Sequence, residues 1–395
     1  MSLLLQHGKI ITMTGSVFEQ GDLLIENGKI KKIAPHIEDS TIKDLKTWNV
    51  DGCTVIPGII EAHCHIGITE ERKGKEGDDA NESTNPITPY LRALDAINPL
   101  DAAFTKAVEA GITSVMVGPG STNVIGGQFL FMKTAGSRKI DDLVVKHPAA
   151  MKLSFGENPK TLYGNKDKMP STRMAIAAMI REELSKGYEY WQKKKTAAQK
   201  SEDFIKDFRM ECWIPVFEHQ IPLKCHVHRT DDIFTAIRIA KEFDLEITLD
   251  HCSEGHLIAK EIKESGFPAI IGPDLASRSK IEVENMAFKT AGILSKEGVL
   301  ISITTDHPVS LIQSLPLCAG LASKNGLGVE EGLKAITINA AKICRVDDRV
   351  GSLKVGKDAD IAIYDGNPMD LFSHCLGTII DGNIVYHDKE RINNV

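Results

Sequence analysis

The segment 57–67, PGIIEAHCHIG, sets His63 and His65 one residue apart directly after an apolar run. In an extended chain, side chains two positions apart share a face, with Cα atoms roughly 6.5–7 Å apart, so the two rings can converge on one point. Two neutral imidazoles aimed at one point begin a divalent-metal site, which needs further ligands. Candidates recur at the ends of other apolar runs: His226 and His228 in PLKCHVH, His251 in EITLDH, and Asp306, followed by His307, in LISITTDHP. Six of the thirteen histidines thus fall at four predicted strand ends, whereas chance would scatter them through helices and loops. Cys64, Cys225 and Cys252 each neighbour one of these residues. Strand alternation turns Cys64 and Cys225 to the opposite face, where a free thiol packs as a small hydrophobe.

The elements that must position these residues are legible as alternating patterns. Strand-like runs at 59–65, 112–117, 128–134, 150–155, 222–228, 246–251, 268–273 and 301–306 are separated by helical patterns, among them 172–200, 231–243, 283–297 and 329–343. Alternating β and α elements imply a parallel sheet. Eight strands over roughly 290 residues fit an α/β fold of the closed (β/α)8 TIM-barrel type, with its active site at the carboxyl ends of the strands. An open doubly wound sheet is the competing topology. The glycines of GPGSTNVIGG (118–127) do not make a nucleotide loop, because Pro119 breaks the pattern. Both ends of the chain read as short strands and turns, with Asn27-Gly28 a hairpin signal. Each end is too short to make a stable sheet alone. Residues 1–57 and 350–395 are therefore expected to form one small composite β-sandwich, leaving the barrel at 58–349.

Composition narrows the partners. The 395 residues are 42% hydrophobic and 26% charged, a globular balance with room for a large domain and something extra. A net charge of −7 gives nucleic acid no electrostatic support. No apolar run approaches the ~20 residues that span a bilayer. Three leucines after Met1-Ser2 without a basic segment do not make a signal peptide. The eight cysteines show no CxxC pair, which argues against a zinc finger or a disulfide framework. The simplest expectation is a reduced, cytoplasmic protein acting on a small molecule, free to form a homo-oligomer, with no nucleic-acid or membrane partner.

VIPGIIEAHCHIG (55–67), taken with His226, His251 and Asp306 at later strand ends, resembles the amidohydrolase superfamily. VGSLKVGKDADIAIYDGNP (350–368) is similar to that superfamily's return into its small β-sandwich. MKLSFGENPKTLYG (151–164) with STRMAIAAMIRE resembles its imidazolonepropionase-related or prolidase-like branch. The resemblance implies a hydrolase of carbon–nitrogen bonds, amide or cyclic amide, in which His63, His65, His226, His251 and Asp306 hold one or two divalent ions. Zinc is the default for such ligands. It implies that Asp306 accepts the proton of a metal-activated water and passes it to the leaving nitrogen. His228, on the face of His226, is either a donor to the substrate carbonyl or oxyanion or a support behind the ligands. A two-ion site also needs a bridging anion from the fourth strand. Lys152 shares parity with Ser154 and should point inward, where it could be carboxylated, while Glu157 stands at the strand end.

Lys160, Tyr163, Arg173 and Arg229 follow the fourth and fifth strands. An arginine's planar fork suits a carboxylate, which points to an anionic substrate unless these residues pair with Glu157, Asp231 or Asp232. The polar segment 66–89, with Gly74, Gly77, Pro86 and Pro89, reads as a mobile cover over the site. Two rival functions accompany the main one. The resembled scaffold also deaminates nitrogen heterocycles, which would release ammonia. A non-catalytic assembly protein on the same scaffold would have lost ligands, and all five are present.

Overall fold

The computed structural model describes residues 2–38, 44–71, 74–389 and 391. In chain order the strands are β1 (Ser2–Ile11), β2 (Val17–Glu26), β3 (Lys29–Ala34), β4 (Leu45–Asn49) and β5 (Thr54–Pro57). Then come β6 (Ile59–Cys64), β7 (Ile112–Val117), β8 (Ile125–Lys133), β9 (Val144–Ser154), β10 (Leu223–Val227), β11 (Ile247–His251), β12 (Ala269–Ile271) and β13 (Ile301–Ile303). The last are β14 (Ile361–Tyr364), β15 (Cys375–Ile380) and β16 (Asn383–His387).

The strands of the two chain ends share one sheet, ordered β16-β15-β14-β5-β1-β2-β3 with β4 beside β1. β14 runs antiparallel to β5, with Ile361 opposite Pro57 and Ile363 opposite Val55. Leu5, Val55, Ile361 and Ile363 pack there around the fully buried Trp48. Behind this sheet, Lys133 reaches from β8 to Asp360 at 2.6 Å and Asp358 at 3.0 Å, a buried tie between the two sheets.

The second sheet runs β6 to β13 in sequence order. It departs from the all-parallel expectation at β8, which is antiparallel to both β7 and β9. The reason is chain length. Only residues 118–124 link β7 to β8, whereas a parallel crossover needs a dozen or more. GPGSTNVIGG is this turn. The seam between β13 and β6 is held by Thr304 Oγ1 donating to the His63 carbonyl (2.6 Å) and His65 N–H donating to the His307 carbonyl (2.8 Å). The result is a nearly closed eight-stranded barrel.

Strand alternation sorts the barrel residues as expected. Leu223, Cys225 and Val227 of β10, and Met151 and Leu153 of β9, belong to the outer core, together with Cys64 and Cys252. Lys152, Lys224 and His226 are buried too, outside that apolar cluster. The long helix is Arg173–Lys200, its N-cap Thr172 accepting from Ala175 N–H at 3.1 Å. The expected helix at 283–297 begins only at Lys289, after a single turn Ile281–Val283. The 329–343 pattern splits into Val329–Ala335 and Ile338–Ile343.

The segment read as a mobile cover is tied down. Ile66 and Ile68 are buried in the core, which the polarity of their neighbours concealed. Asp79 N–H donates to Ile68 O at 2.8 Å, and Thr122 N–H donates to Asn81 Oδ1 at 3.0 Å. Its residues 72–73 lie outside the described residues. Among the described residues no helix is long and apolar enough to cross a membrane.

Candidate metal centre

The strand ends bring the expected side chains together. Nitrogens of His226, His228 and His251 lie within 4.8 Å of one another, and His63, His251 and Asp306 form a second such group. His226 arrives by simple alternation on β10. His251 does not, because it shares parity with the outward Leu249. Its backbone, at φ 78°, swings the ring inward, and Asp306 sits at φ 50°. Left-handed conformations at non-glycine residues cost roughly 1–3 kcal/mol each, and such strain concentrates at functional sites.

Ring orientation is set from behind. His65 Nδ1 lies 2.7 Å from the Gly118 carbonyl and His251 Nδ1 lies 2.8 Å from the Gly272 carbonyl. A carbonyl only accepts, so Nδ1 carries a proton in both rings, and in the neutral His251 ring Nε2 is left with a bare lone pair. His228 Nδ1 meets Ser253 Oγ at 2.8 Å. His63 Nδ1 lies 2.8 Å from Asp250 Oδ2, an electrostatic contact without hydrogen-bond alignment. Burial pushes the imidazoles of His63, His226, His228 and His251 well below the usual histidine range, so all four are neutral.

His65 Nε2 stands 3.2 Å and His63 Nε2 3.6 Å from Asp306 Oδ1. That oxygen and His251 Nε2 are buried with no hydrogen bond among the described residues. Burial would raise the Asp306 carboxyl, but His251 and His65 outweigh it and hold it below its ordinary range. The neutral His251 Nε2 and the Asp306 carboxylate belong to one group of ligand atoms within 4.8 Å of one another, with no hydrogen bond among the described residues to either Nε2 or Oδ1. The donor set fits a divalent metal.

A model of the amidohydrolase family matches residues 54–389. The chain belongs to the amidohydrolase family. It is accordingly an enzyme, a hydrolase of carbon–nitrogen bonds with a histidine-rich site able to hold a divalent metal. An amidohydrolase structure from Thermotoga maritima MSB8 superposes with a TM-score of 0.94 at 39% identity, covering 98% of this chain and 100% of that one. Amidohydrolase tasK of Hapsidospora irregularis is 26% identical over 93% of this chain, which spans 40% of that relative's length. A 5-methylthioadenosine/S-adenosylhomocysteine deaminase of Caldicellulosiruptor saccharolyticus is 25% identical over 98% of this chain and 94% of its own. Imidazolonepropionases match at 21–24% identity.

The other expected residues of this amidohydrolase divide. Lys152 is fully buried with Nζ 3.3 Å from His63 Nε2, and burial pulls its ammonium down to about 8. Glu157 Oε2 accepts from the Glu282 N–H at 3.3 Å. Lys160 is exposed. Tyr163 is buried, donates to Asn123 Oδ1 at 2.7 Å, and burial raises its hydroxyl to about 12. Arg173 donates to both oxygens of Asp232 at 3.1 Å, and Arg229 clasps Asp231 at 3.0 and 3.3 Å. Both guanidiniums are thus paired within the protein.

Three residues at the centre were not anticipated. Lys224 sits two positions before His226, so parity pointed to it. Asp250, on the inner face of β11, contacts both His63 and Lys224. Glu282 comes from the turn after β12, where no periodic pattern marks it.

Proposed function

We propose that this amidohydrolase cleaves an amide or cyclic amide bond of a small substrate at a divalent centre, zinc by its donor set. His63, His65, His226, His251 and Asp306 would hold the metal, and Lys152, if carboxylated, would supply a further anionic ligand where two ions bind. The observation that supports this most directly is the convergence of His65 Nε2 (3.2 Å) and His63 Nε2 (3.6 Å) on Asp306 Oδ1. When bound, the ion supplies Lewis acidity and a water that ionises near neutral pH. Asp306, kept anionic, takes a proton from the attacking water and returns it to the leaving nitrogen. Lys152, with its ammonium lowered to about 8, keeps enough free amine near neutral pH to form a carbamate.

The work of the barrel falls to residues 58–349, with 1–57 and 350–395 as a composite β unit. The shared terminal sheet supports that division. The eight free cysteines suit a reducing, cytoplasmic setting. Metal analysis with Asp306→Asn tests the reading. The variant should stay folded and lose turnover, and full activity of a metal-stripped preparation overturns it. The likeness to a deaminase keeps one alternative, hydrolytic deamination, which ammonia release from aminoheterocycles would reveal.

A further inference from the structure

We infer that Glu282 is a metal ligand, forming with His226 and His228 a second cation position beside the one at His63, His65 and Asp306. The inference rests on the reading that this centre binds divalent ions. Glu282 is 1% exposed, far too buried for a carboxylate without a strong partner. Its Oε2 is fixed by the Glu157 N–H at 2.8 Å. Gly156, at φ 81°, leaves room for that approach, since a Cβ there would stand 2.6 Å from Oε2.

Anchoring Oε2 aims Oε1 at the two rings, 3.6 Å from His226 Nε2 and 3.8 Å from His228 Nε2. These separations are too long for hydrogen bonds. They are close to the edge of a coordination tetrahedron, whose corners lie about 3.4 Å apart when each bond is about 2.0–2.1 Å. Asn158 Nδ2, 3.4 Å from His226 Nε2, marks that nitrogen as an acceptor with a bare lone pair. His251, grouped with both His226/His228 and His63/Asp306, supplies a further imidazole to either position.

The competing account is that Glu282 merely neutralises Lys280. That ammonium lies 2.5 Å from Oε1 and 2.8 Å from Asn158 Oδ1. An ion pair with a 26% exposed lysine does not explain why two imidazole nitrogens converge on the same carboxylate oxygen from the buried side. With Glu282 as ligand, the turn after β12 becomes part of the metal centre and His228 acts as a ligand, not as a donor to substrate.

Cobalt(II) titration of the full chain, read by visible absorption and by metal stoichiometry, decides between them. Wild type should bind two equivalents with distinct spectra. Glu282→Gln keeps an acceptor for the Glu157 N–H and should bind one, while Lys280→Met should keep both. Glu282→Asp, which withdraws Oε1 by a methylene, should weaken the second equivalent at least tenfold and serves if the glutamine variant does not fold. Two undiminished equivalents in Glu282→Gln, or equal loss in Lys280→Met, overturn the inference. Wild type that binds no divalent ion instead defeats the broader reading of the centre.

Discussion

Replacing Asp250 by Asn separates what the centre needs for holding metal from what it needs for staying folded. Asp250 is fully buried, with Oδ1 accepting from Thr248 Oγ1 at 2.7 Å and Oδ2 set between His63 Nδ1 (2.8 Å) and Lys224 Nζ (3.1 Å). Among the described residues Lys224 has one other close acceptor, the Ala62 carbonyl at 3.2 Å. Asparagine preserves volume but strands that buried ammonium, and removing one partner of a buried pair costs about 3–5 kcal/mol. His63 meanwhile loses the anion that orients its ring, and such supporting groups are worth about 10–100-fold in metal affinity. Adding Lys224→Met removes the stranded charge. The double variant should regain most of the stability and none of the metal affinity. Urea unfolding of chelator-treated protein reads the first quantity, and zinc competition against a chromophoric chelator reads the second. A loss below about 1 kcal/mol in Asp250→Asn, a typical surface-pair value, would refute the assignment of Lys224 as its dependent. So would a double variant that recovers both quantities.

Three further outcomes are expected. Gly156→Ala should lower the melting temperature by several degrees, because the added Cβ meets Glu282 Oε2 at 2.6 Å in a φ 81° backbone; an unchanged melt would contradict that packing. Lys133→Met should cost about 3 kcal/mol at neutral pH by leaving buried Asp358 and Asp360 short of a cation. Burial alone would raise Asp358, but Lys133, Lys29 and Arg349 outweigh it and hold it below its usual range. The Asp358 contribution is therefore present above about pH 4 and lost as pH falls through its folded value, whereas burial raises Asp360 despite Lys133, so the cost in urea melts should begin to shrink before Asp358 titrates. Truncation after Ile343 removes β14 and leaves the β5 edge unpaired, and light scattering should detect aggregation.

Much of the centre was readable because strands enforce alternation. Lys152 and His226 follow from parity alone, and the same rule pointed to Lys224. His251 was found for an incomplete reason, since its parity is outward and only a left-handed backbone brings the ring inside, a feature without a pattern signal. β8 was placed nearly correctly but in the wrong direction, although the short linker 118–124 already excluded a crossover helix. Glu282 stayed hidden because it sits in a turn, where neither a period of two nor of 3.6 sorts inward from outward residues. The segment 66–89 reads from its charges as fixed at its base and free at its tip, yet Ala80 is buried in the core and Asn81 accepts from Thr122 N–H, so the chain beyond Ile66 and Ile68 is held as well.

The sheet shared by the chain ends also sets an order of events during synthesis. β5 leaves the ribosome about 300 residues ahead of β14, its neighbour in the finished sheet. At about 5–20 residues per second, that interval is about 15–60 s. Throughout it, Leu5 and Val55 lack the Ile361 and Ile363 side chains that later cover them, and the β5 edge presents unpaired backbone to any other nascent chain. The barrel can assemble while its own foundation is half built. A translation stall within the barrel is therefore expected to leave that amino-terminal edge uncovered until the last strands emerge.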